Sequence, residues 1–419
     1  MDILIRQARI IDPSSPFHQQ VQNIFIQKGS IVSIGSDAPD AGQVIDIPGL
    51  VVTPGFADPF AQFCDPGFEY RETLESGARA AVAGGYTDVL VLPNTAPVVH
   101  NKAGVSYLKE KSRNLPVGVH PIAAVTKNTE GKELAEMYDM HDSGAVAFSD
   151  GTAPIQSAGL LLKALQYVKA IDKVIIQLPD DGSIAKQGLM NEGIVSTRLG
   201  LPGKPAIAEE LMIRRDMELA AYTGSRIHLS GISTARGIDL IREAKDKGVQ
   251  VTCSVTPAHL WFCDEDLLGY DTYLKLNPPL RTSADRDALR VGVLDGTVDC
   301  IASHHLPQDT DHKIVEFEYA QFGMIGLETA FAVVRTVLPD LKPERLVEIF
   351  STAPRRIFGL DAVSIKTQAP ARLTLLEWDA AWTPQRFQSL SQNTPFTGTA
   401  FTGRPAGIIH KDRVFLNQF

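Results

Sequence analysis

The sequence predicts an α/β protein with a (β/α)8 TIM barrel and a small β-sandwich domain built from both chain termini. Short apolar runs recur between residues 56 and 303, and longer stretches with helical spacing separate them. This alternation is typical of parallel strands joined by helical crossovers. Strand-like alternation at the two ends of the chain predicts the second domain.

Eight apolar runs are candidates for the barrel strands, and they lie at residues 56–60, 88–92, 117–125, 145–149, 174–178, 226–230, 249–255 and 298–303. Helical spacing occupies residues 73–83, 155–170, 206–221 and 234–247, and the last helices are predicted over 324–338 and 343–351. Because such barrels carry their chemistry at the carboxyl ends of the strands, the residues that follow each run are the candidates for a site.

The terminal strands are predicted at residues 3–5, 23–27, 31–34, 372–376, 407–409 and 413–415. Neither set alone can bury a hydrophobic face, so we expect the two sets to pair in one composite sandwich. The predicted domain limits are 1–52 plus 364–419 for this composite domain and 53–363 for the barrel.

Composition excludes several classes of protein. The chain has 40 basic and 49 acidic side chains, a net charge of −9, which argues against a nucleic-acid or anionic-membrane surface. Its four cysteines are scattered without a C-x-x-C pair, so we expect neither a disulfide framework nor a cysteine-rich zinc site. With no leader-like or membrane-spanning segment, the expected location is the cytoplasm.

A series of motifs runs in order along nearly the whole chain. They are DPGFEYRET at 65–73, GGYT at 84–87, PNT at 93–95, LMNEG at 189–193, RLGLPG at 198–203, NPPLR at 277–281, FGMIGLET at 322–329, RIFGL at 356–360 and NTPF at 393–396. On these motifs the chain closely resembles the dihydroorotase branch of the amidohydrolase superfamily, a group of cyclic-amide hydrolases that includes enzymes of pyrimidine biosynthesis.

The resemblance implies where a metal site would lie. Proteins of this family hold zinc through a His-x-His pair after strand one, an acid or modified lysine after strand four, histidines after strands five and six, and an aspartate after strand eight. That aspartate also acts as the general base. The corresponding positions here are Phe60, Gln62, Asp150, Gln177, Gly231 and His304.

Four of those six positions carry a phenyl ring, two amides or a hydrogen atom, whereas catalytic zinc takes about three protein ligands from His, Asp, Glu or Cys. We therefore expect no metal or other cofactor, with Asp150 and His304 as the residual candidate ligands. Losing the metal would remove up to ~8 orders of magnitude of available hydroxide. His304 stays a weak candidate for proton transfer, because imidazole titrates near neutrality.

The resemblance also implies a remnant of the substrate pocket. The arginine with which the family clamps the substrate carboxylate is replaced by Cys64, and the later histidine of the strand-eight loop is replaced by Gln308. Asn94 and Asn277 keep the amides that the family directs at its substrate. We predict a pocket that binds an orotate-like anion weakly.

Three hypotheses about function follow. The first is an inactive dihydroorotase homologue, a pseudoenzyme with a structural or regulatory role. The resemblance implies aspartate carbamoyltransferase as a possible partner, and we expect a homo-oligomer such as a dimer. The second is an active cyclic amidohydrolase of dihydroorotase, hydantoinase or allantoinase type, with a rebuilt site and zinc. The third is a sensor that binds a pyrimidine intermediate in the residual pocket.

Overall fold

The computed structural model describes residues 2–417 and begins with short strands connected by turns. They are β1 (Asp2–Ile10), β2 (Val21–Gln27), β3 (Ser30–Gly35), β4 (Gln43–Ile45) and β5 (Leu50–Pro54). Strands β1, β2 and β3 pair in antiparallel fashion, whereas β4 and β5 each pair with β1 in parallel.

The middle of the chain forms the barrel. Its strands and a small accessory pair are β6 (Phe56–Ala61), β7 (Tyr86–Val91), β8 (Gly118–Ala123), β9 (Ala147–Phe148), β10 (Ile175–Gln177), β11 (Met190–Asn191), β12 (Gly203–Lys204), β13 (Ile227–Leu229), β14 (Val251–Val255) and β15 (Cys300–Ile301). Within residues 2–417 the barrel has eight strands in the order β6-β7-β8-β9-β10-β13-β14-β15, and β11 pairs only with β12. A parallel bridge between Ala61 and His305 brings the first strand next to the end of the last.

Helices follow most barrel strands, as the spacing predicts. They are α1 (Leu74–Ala83), α2 (Lys102–Lys111), α3 (Met137–Asp142), α4 (Ala158–Ala170), α5 (Gly182–Ala185), α6 (Ile194–Leu199), α7 (Ile207–Thr223), α8 (Ala235–Asp246), α9 (Pro257–Trp261), α10 (Ser283–Asp295), α11 (Ala330–Val337), α12 (Pro343–Val347) and α13 (Ala353–Phe358). The prediction of a (β/α)8 barrel is therefore confirmed.

The chain then returns to the terminal sheet with β16 (Arg372–Trp382), β17 (Phe401–His410) and β18 (Arg413–Leu416). Strand β16 pairs with β5, which joins both ends of the chain in one sheet with its own apolar core. The predicted domain limits stay predictions. Strand β5 crosses the limit at 52/53, and residues 1, 418 and 419 lie outside the described residues.

Strand alternation separates two apolar layers around the barrel. In β10, Ile176 packs in the barrel interior with Phe60 and Leu90, whereas its neighbour Ile175 packs in the layer shared with the helices. Adjacent strand residues face opposite sides, so parity along each strand decides which side chains reach the interior.

One predicted element begins later than expected. The helix predicted from residue 324 begins at Ala330, because the preceding residues pack along the end of the last barrel strand. The Leu306 amide donates to the Met324 carbonyl at 2.8 Å. A side chain at Gly326 would lie 2.2 Å from the Ser303 carbonyl oxygen, which explains why this approach uses glycine.

Two expectations about the chain as a whole concern cysteines and membrane segments. Within residues 2–417 the four cysteines are buried and unpaired. In the same range, the structure contains no helix with the length and hydrophobicity needed to span a bilayer.

Candidate active site

The six positions of the implied metal site lie at the carboxyl ends of barrel strands, where the chemistry of such barrels is found. Two groups of contacts form there: one is centred on His304 and the other on Asp150. The carboxylate of Asp58 connects the strands that carry the first group. It accepts from the amide and hydroxyl of Ser303 at 2.7 and 2.9 Å and from the Phe60 amide at 3.2 Å. Burial raises the pKa of Asp58 to about 6.

His304 lies between an aromatic ring and a glycine. Its ring stacks on Phe60 with centroids 4.3 Å apart and planes inclined by 23°. On the side of Gly231, an added Cβ would lie 2.7 Å from the His304 Cε1 atom. The absence of a side chain at Gly231 thus makes the space that the imidazole occupies.

A chain of hydrogen bonds runs from His304 into the barrel interior. His304 Nε2 lies 2.9 Å from the Ser230 hydroxyl, which lies 3.1 Å from the Ser254 hydroxyl. His228 then bridges Ser254 at 3.1 Å and Thr252 at 2.9 Å. Each hydroxyl can donate one hydrogen bond and accept another, so every bond of this chain can form with both rings neutral.

The pKa values of these histidines agree with the neutral state. Burial lowers the pKa of His304 to about 3, and burial likewise lowers that of His228 to about 3. His304 is therefore a neutral, hydrogen-bonded imidazole at physiological pH. The next residue, His305, faces away from this chain of hydrogen bonds, and its Nε2 atom lies 3.3 Å from the Glu72 carboxylate.

Asp150 is engaged by the loop after the third barrel strand. One carboxylate oxygen accepts from the Thr126 amide at 2.9 Å, and the other accepts from the Thr126 hydroxyl at 2.5 Å. Burial raises the pKa of Asp150 to about 6. The backbone carbonyl of Asp150 accepts from the side-chain amide of Asn94 at 3.0 Å, and the backbone carbonyl of Asn94 accepts from the side-chain amide of Gln62 at 2.7 Å.

Gln177, assigned to the strand-five ligand position, does not join either group. Its side chain makes two hydrogen bonds to the backbone of Ile155, at 3.2 and 3.3 Å. The neighbouring Leu178 instead reaches the mouth, where its Cδ1 atom lies 3.2 Å from the Cβ position of Gly231. Strand alternation explains the difference, because Gln177 lies on the outward-facing parity of β10.

The predicted remnants of the substrate pocket have partners within the protein. The Asn277 amide oxygen accepts from Lys204 Nζ at 2.8 Å, and the same ammonium lies 2.7 Å from Asp180. Gln308 donates to the Phe322 carbonyl at 3.0 Å. Cys64 is buried with φ +59°, and burial raises the pKa of its thiol to about 12, which disfavours the reactive thiolate at neutral pH.

The residues that sequence reasoning missed are ordinary in type. Lys204, Ser230 and Asp58 gave no motif of their own, and their roles depend on contacts between distant segments of the chain. A weak signal existed for Ser230, because it lies one residue before Gly231 at the end of a barrel strand. Within the described range 2–417, no three His, Cys, Asp or Glu side chains lie close enough together to hold a metal ion.

An eight-stranded parallel barrel with buried polar residues at the carboxyl ends of its strands defines the class as a (β/α)8-barrel protein. Solved structures support the fold. The L-hydantoinase (dihydropyrimidinase) from Arthrobacter aurescens has a TM-score of 0.88 and 23% identity over 99% of this chain and 96% of that one. The D-hydantoinase (dihydropyrimidinase) from Thermus sp. has a TM-score of 0.84 and 20% identity over 99% and 95%.

Sequence relatives specify the family. A dihydro-orotase-like family model matches residues 49–236. A dihydroorotase of Pelotomaculum thermopropionicum is 43% identical over 100% of this chain and 99% of the relative, and one of Citrifermentans bemidjiense is 39% identical over 99% of each. The chain belongs to the dihydroorotase-like family.

Proposed function

We propose that this chain is a catalytically inactive dihydroorotase homologue of the pyrimidine-biosynthesis type. Its role would be that of a structural or regulatory subunit, with aspartate carbamoyltransferase as the partner. The observation that carries the proposal is the set of groups at the barrel mouth. In place of a cluster of ligands, that mouth holds a stacked Phe60–His304 pair.

The donor chemistry of the six positions does not fit a hydrolytic zinc ion. The phenyl ring of Phe60 has no donor atom, and the amides of Gln62 and Gln177 are engaged with backbone groups. Only Asp150 and His304 carry ordinary zinc-binding groups, one fewer than the usual three. Both already have hydrogen-bond partners in Thr126 and Ser230.

The protonation states also argue against hydrolysis without a metal. His304 could accept a proton in principle, but burial lowers its pKa to about 3, far below that of an effective base at neutral pH. A competent cyclic-amide hydrolase also needs an activated water and stabilisation of the developing oxyanion. The neutral chain from His304 to His228 supplies no charge for that purpose.

The amides that the family directs at its substrate are partly engaged as well. Lys204 donates to the Asn277 oxygen, and Asp180 accepts from the Asn277 nitrogen at 3.3 Å. An anionic substrate would have to displace Lys204 from Asp180, to which it is paired at 2.7 Å with little exposure. This internal ion pair supports weak binding at the mouth.

The partner in this proposal rests on the family resemblance. An inactive barrel that keeps its turn motifs and its apolar core has the properties of a subunit retained for assembly. A homo-oligomer, such as a dimer, and a cytoplasmic location belong to the same proposal. Purification from the native cell tests it, and we expect aspartate carbamoyltransferase to co-purify. Recovery of the free homo-oligomer alone, at every protein concentration tried, would contradict the assembly role.

Activity is tested by ring-opening of dihydroorotate, and by the reverse ring closure, after dialysis against zinc. We expect no turnover above that of the His304→Ala variant and less than one zinc ion per ten chains by elemental analysis. His312→Ala, which alters a half-buried histidine of the short 3-10 helix at Thr310–His312, is the matched control, because His312 is none of the six implied metal positions. Stoichiometric metal together with turnover that only His304→Ala abolishes would overturn the proposal.

The second candidate function is an active cyclic amidohydrolase with a rebuilt site. It is favoured by the 43% identity, over the full chain, with a relative named dihydroorotase. The same assay extended to hydantoin and allantoin rings separates the two candidates. Turnover of any of these rings that depends on His304 would favour the active enzyme.

A further inference from the structure

A large cavity lies on the outside of the barrel, where the C-terminal segment packs against helix α1. Its volume is about 1290 Å³, and its walls come from α1, from residues 381–392 and from the end of β18. None of the six implied metal positions lines it. It is therefore independent of the barrel mouth and of the function proposed for that mouth.

The charge of the cavity is opposite to that of the protein. Arg79, Arg386 and Arg404 line it, although the chain has a net charge of −9. Arg404 pairs with Glu377 at 2.6 Å. Within residues 2–417, Arg79 and Arg386 are exposed and have no acidic partner within ion-pair distance.

The only acidic side chain among the described lining residues is Glu328, which is buried in the wall. Its two oxygens accept from the amides of Gln388 and Ser389 at 2.8 and 2.9 Å. Burial raises the pKa of Glu328 to about 8, so it carries little negative charge at neutral pH. The cavity thus presents the guanidinium groups of Arg79 and Arg386 without a compensating carboxylate, whereas Arg404 is paired with Glu377.

Aromatic side chains form another part of the wall. Trp382, Phe387 and Phe415 line the cavity beside the arginines. Phe387 is largely buried, and the Arg413 guanidinium lies over the Phe415 ring at 4.8 Å. Planar guanidinium groups bind phosphate oxygens through paired hydrogen bonds, and aromatic faces stack on planar heterocycles. A ligand that satisfies both features carries an anionic group and a flat ring.

We propose that this cavity binds a nucleoside phosphate, with Arg79 and Arg386 holding the phosphate and the aromatic wall contacting the base. Clefts that bind small molecules usually measure about 300–1,000 Å³, and this one is large enough for a nucleotide. The role assigned to the two arginines is binding.

The same wall is fastened to the barrel, which provides a second readout. Ser389 donates its hydroxyl to Glu72, whose carboxylate also accepts from the Leu390 amide at 3.1 Å and lies 3.3 Å from His305. A ligand in the cavity would contact the segment that Glu72 and Glu328 already hold in place. Binding should therefore slow amide hydrogen exchange across residues 387–390.

The experiment is calorimetric titration of the full chain, at low ionic strength, with the four ribonucleoside 5′-monophosphates, their nucleosides and inorganic phosphate. We expect saturable binding of at least one monophosphate, at least tenfold weaker binding of its nucleoside and of phosphate alone, and slower exchange at residues 387–390. Arg79→Gln and Arg386→Gln should each weaken binding about tenfold. Arg236→Gln, an exposed arginine on α8, is the matched control and should leave it unchanged.

Three results would overturn the assignment. They are no saturable binding of any monophosphate, equal affinity for inorganic phosphate, and affinity that both cavity variants retain. The melting temperatures of the variants show whether each is folded. Because the titration involves no residue of the barrel mouth, its outcome is separate from that of the ring-opening assay.

Discussion

The imidazole of His304 stacks on the phenyl ring of Phe60 at a centroid distance of 4.3 Å. The sequence resemblance assigns both residues to positions that hold a metal-binding group or the general base in the family. The stack, the hydrogen bond from His304 to Ser230 and the space left by Gly231 form one packed unit. Each component of this unit can be altered separately.

Gly231→Ala should destabilise the protein more than the same substitution at a matched glycine elsewhere in the chain. The residue has φ +72°, and its new Cβ would lie 2.7 Å from the His304 ring. Left-handed backbone costs a non-glycine residue about 1–2 kcal/mol, and overpacking adds about 1–3 kcal/mol. Chemical denaturation should therefore show a loss of about 2–5 kcal/mol in the free energy of unfolding.

The control for this prediction is Gly200→Ala, at φ +69° with nothing within 4 Å of the new Cβ. It should show only the backbone cost of about 1–2 kcal/mol. In the double variant Gly231→Ala/His304→Ala, the clash is removed, so the two effects should be less than additive. Full additivity would show that the ring of His304 does not occupy this space.

Phe60→Ala should leave a cavity beside His304. Phe60 is 1% exposed, and truncating a buried phenylalanine typically costs about 3–5 kcal/mol. Water entering the cavity should hydrate the imidazole and raise the pKa of His304 above its value of about 3. An NMR titration measures this, and His228, deeper in the barrel, is the internal control whose pKa should stay low.

Much of the fold could be predicted from sequence, because apolar runs and helical spacing are local signals. Each predicted barrel run overlaps an observed strand, from β6 to β15. The error at residues 324–329 arose because that segment pairs with Leu306, a contact that no local pattern reveals. The outward orientation of Gln177 was unpredictable for a related reason, since the face of a three-residue strand cannot be fixed from its own short pattern.

The candidate site was less predictable than the fold. Resemblance located Phe60, Gly231 and His304, which the structure brings together. The hydroxyl of Ser230 and the ammonium of Lys204 engage groups from distant segments. Contacts of this kind depend on tertiary geometry, and serine and lysine are too common for their presence to indicate them.

Buried histidines should make the protein less stable as the pH falls. The pKa of His304 is about 3 in the folded protein and about 6.5 in the unfolded chain. Its contribution to stability is therefore fully present above pH 6.5 and is lost as the pH falls towards 3. In that window the unfolded state binds the extra proton, so His304 contributes a slope of up to about 1.4 kcal/mol per pH unit.

His304→Gln should remove this contribution. Denaturation between pH 4.5 and 6.5 should show a shallower dependence of the unfolding free energy on pH in the variant than in the wild type. The comparison variant is His312→Gln, at a half-buried histidine of a short 3-10 helix, and its curve shows how much of the change is specific to His304. Parallel curves for wild type and His304→Gln would mean that His304 is not buried in its neutral form.

Glu328 should contribute a pH dependence of the unfolding free energy with a sign opposite to that of His304, and Glu328→Gln should remove it. Burial raises the pKa of Glu328 to about 8 in the folded protein, against 4.5 for the ordinary carboxyl. The stability that its protonation provides is fully present below pH 4.5 and is lost as the pH rises through about 8. The wild type should therefore lose up to about 1.4 kcal/mol per pH unit across this window through Glu328 alone.

The glutamine variant cannot titrate, but it loses an acceptor. The Ser389 N–H donates to an oxygen of the Glu328 carboxyl group at 2.9 Å, and an amide nitrogen cannot accept that bond, so the variant should be less stable than the wild type at pH 5. The difference in stability between the wild type and the variant should narrow steadily from pH 5 to pH 8, because Glu328 makes only the wild type lose stability over that range. Melting temperatures at half-unit pH steps measure it, with the exposed Glu218→Gln as the control. A gap that stays constant from pH 5 to pH 8 would mean that Glu328 is already ionised at pH 5, and the cavity wall would then be anionic at neutral pH.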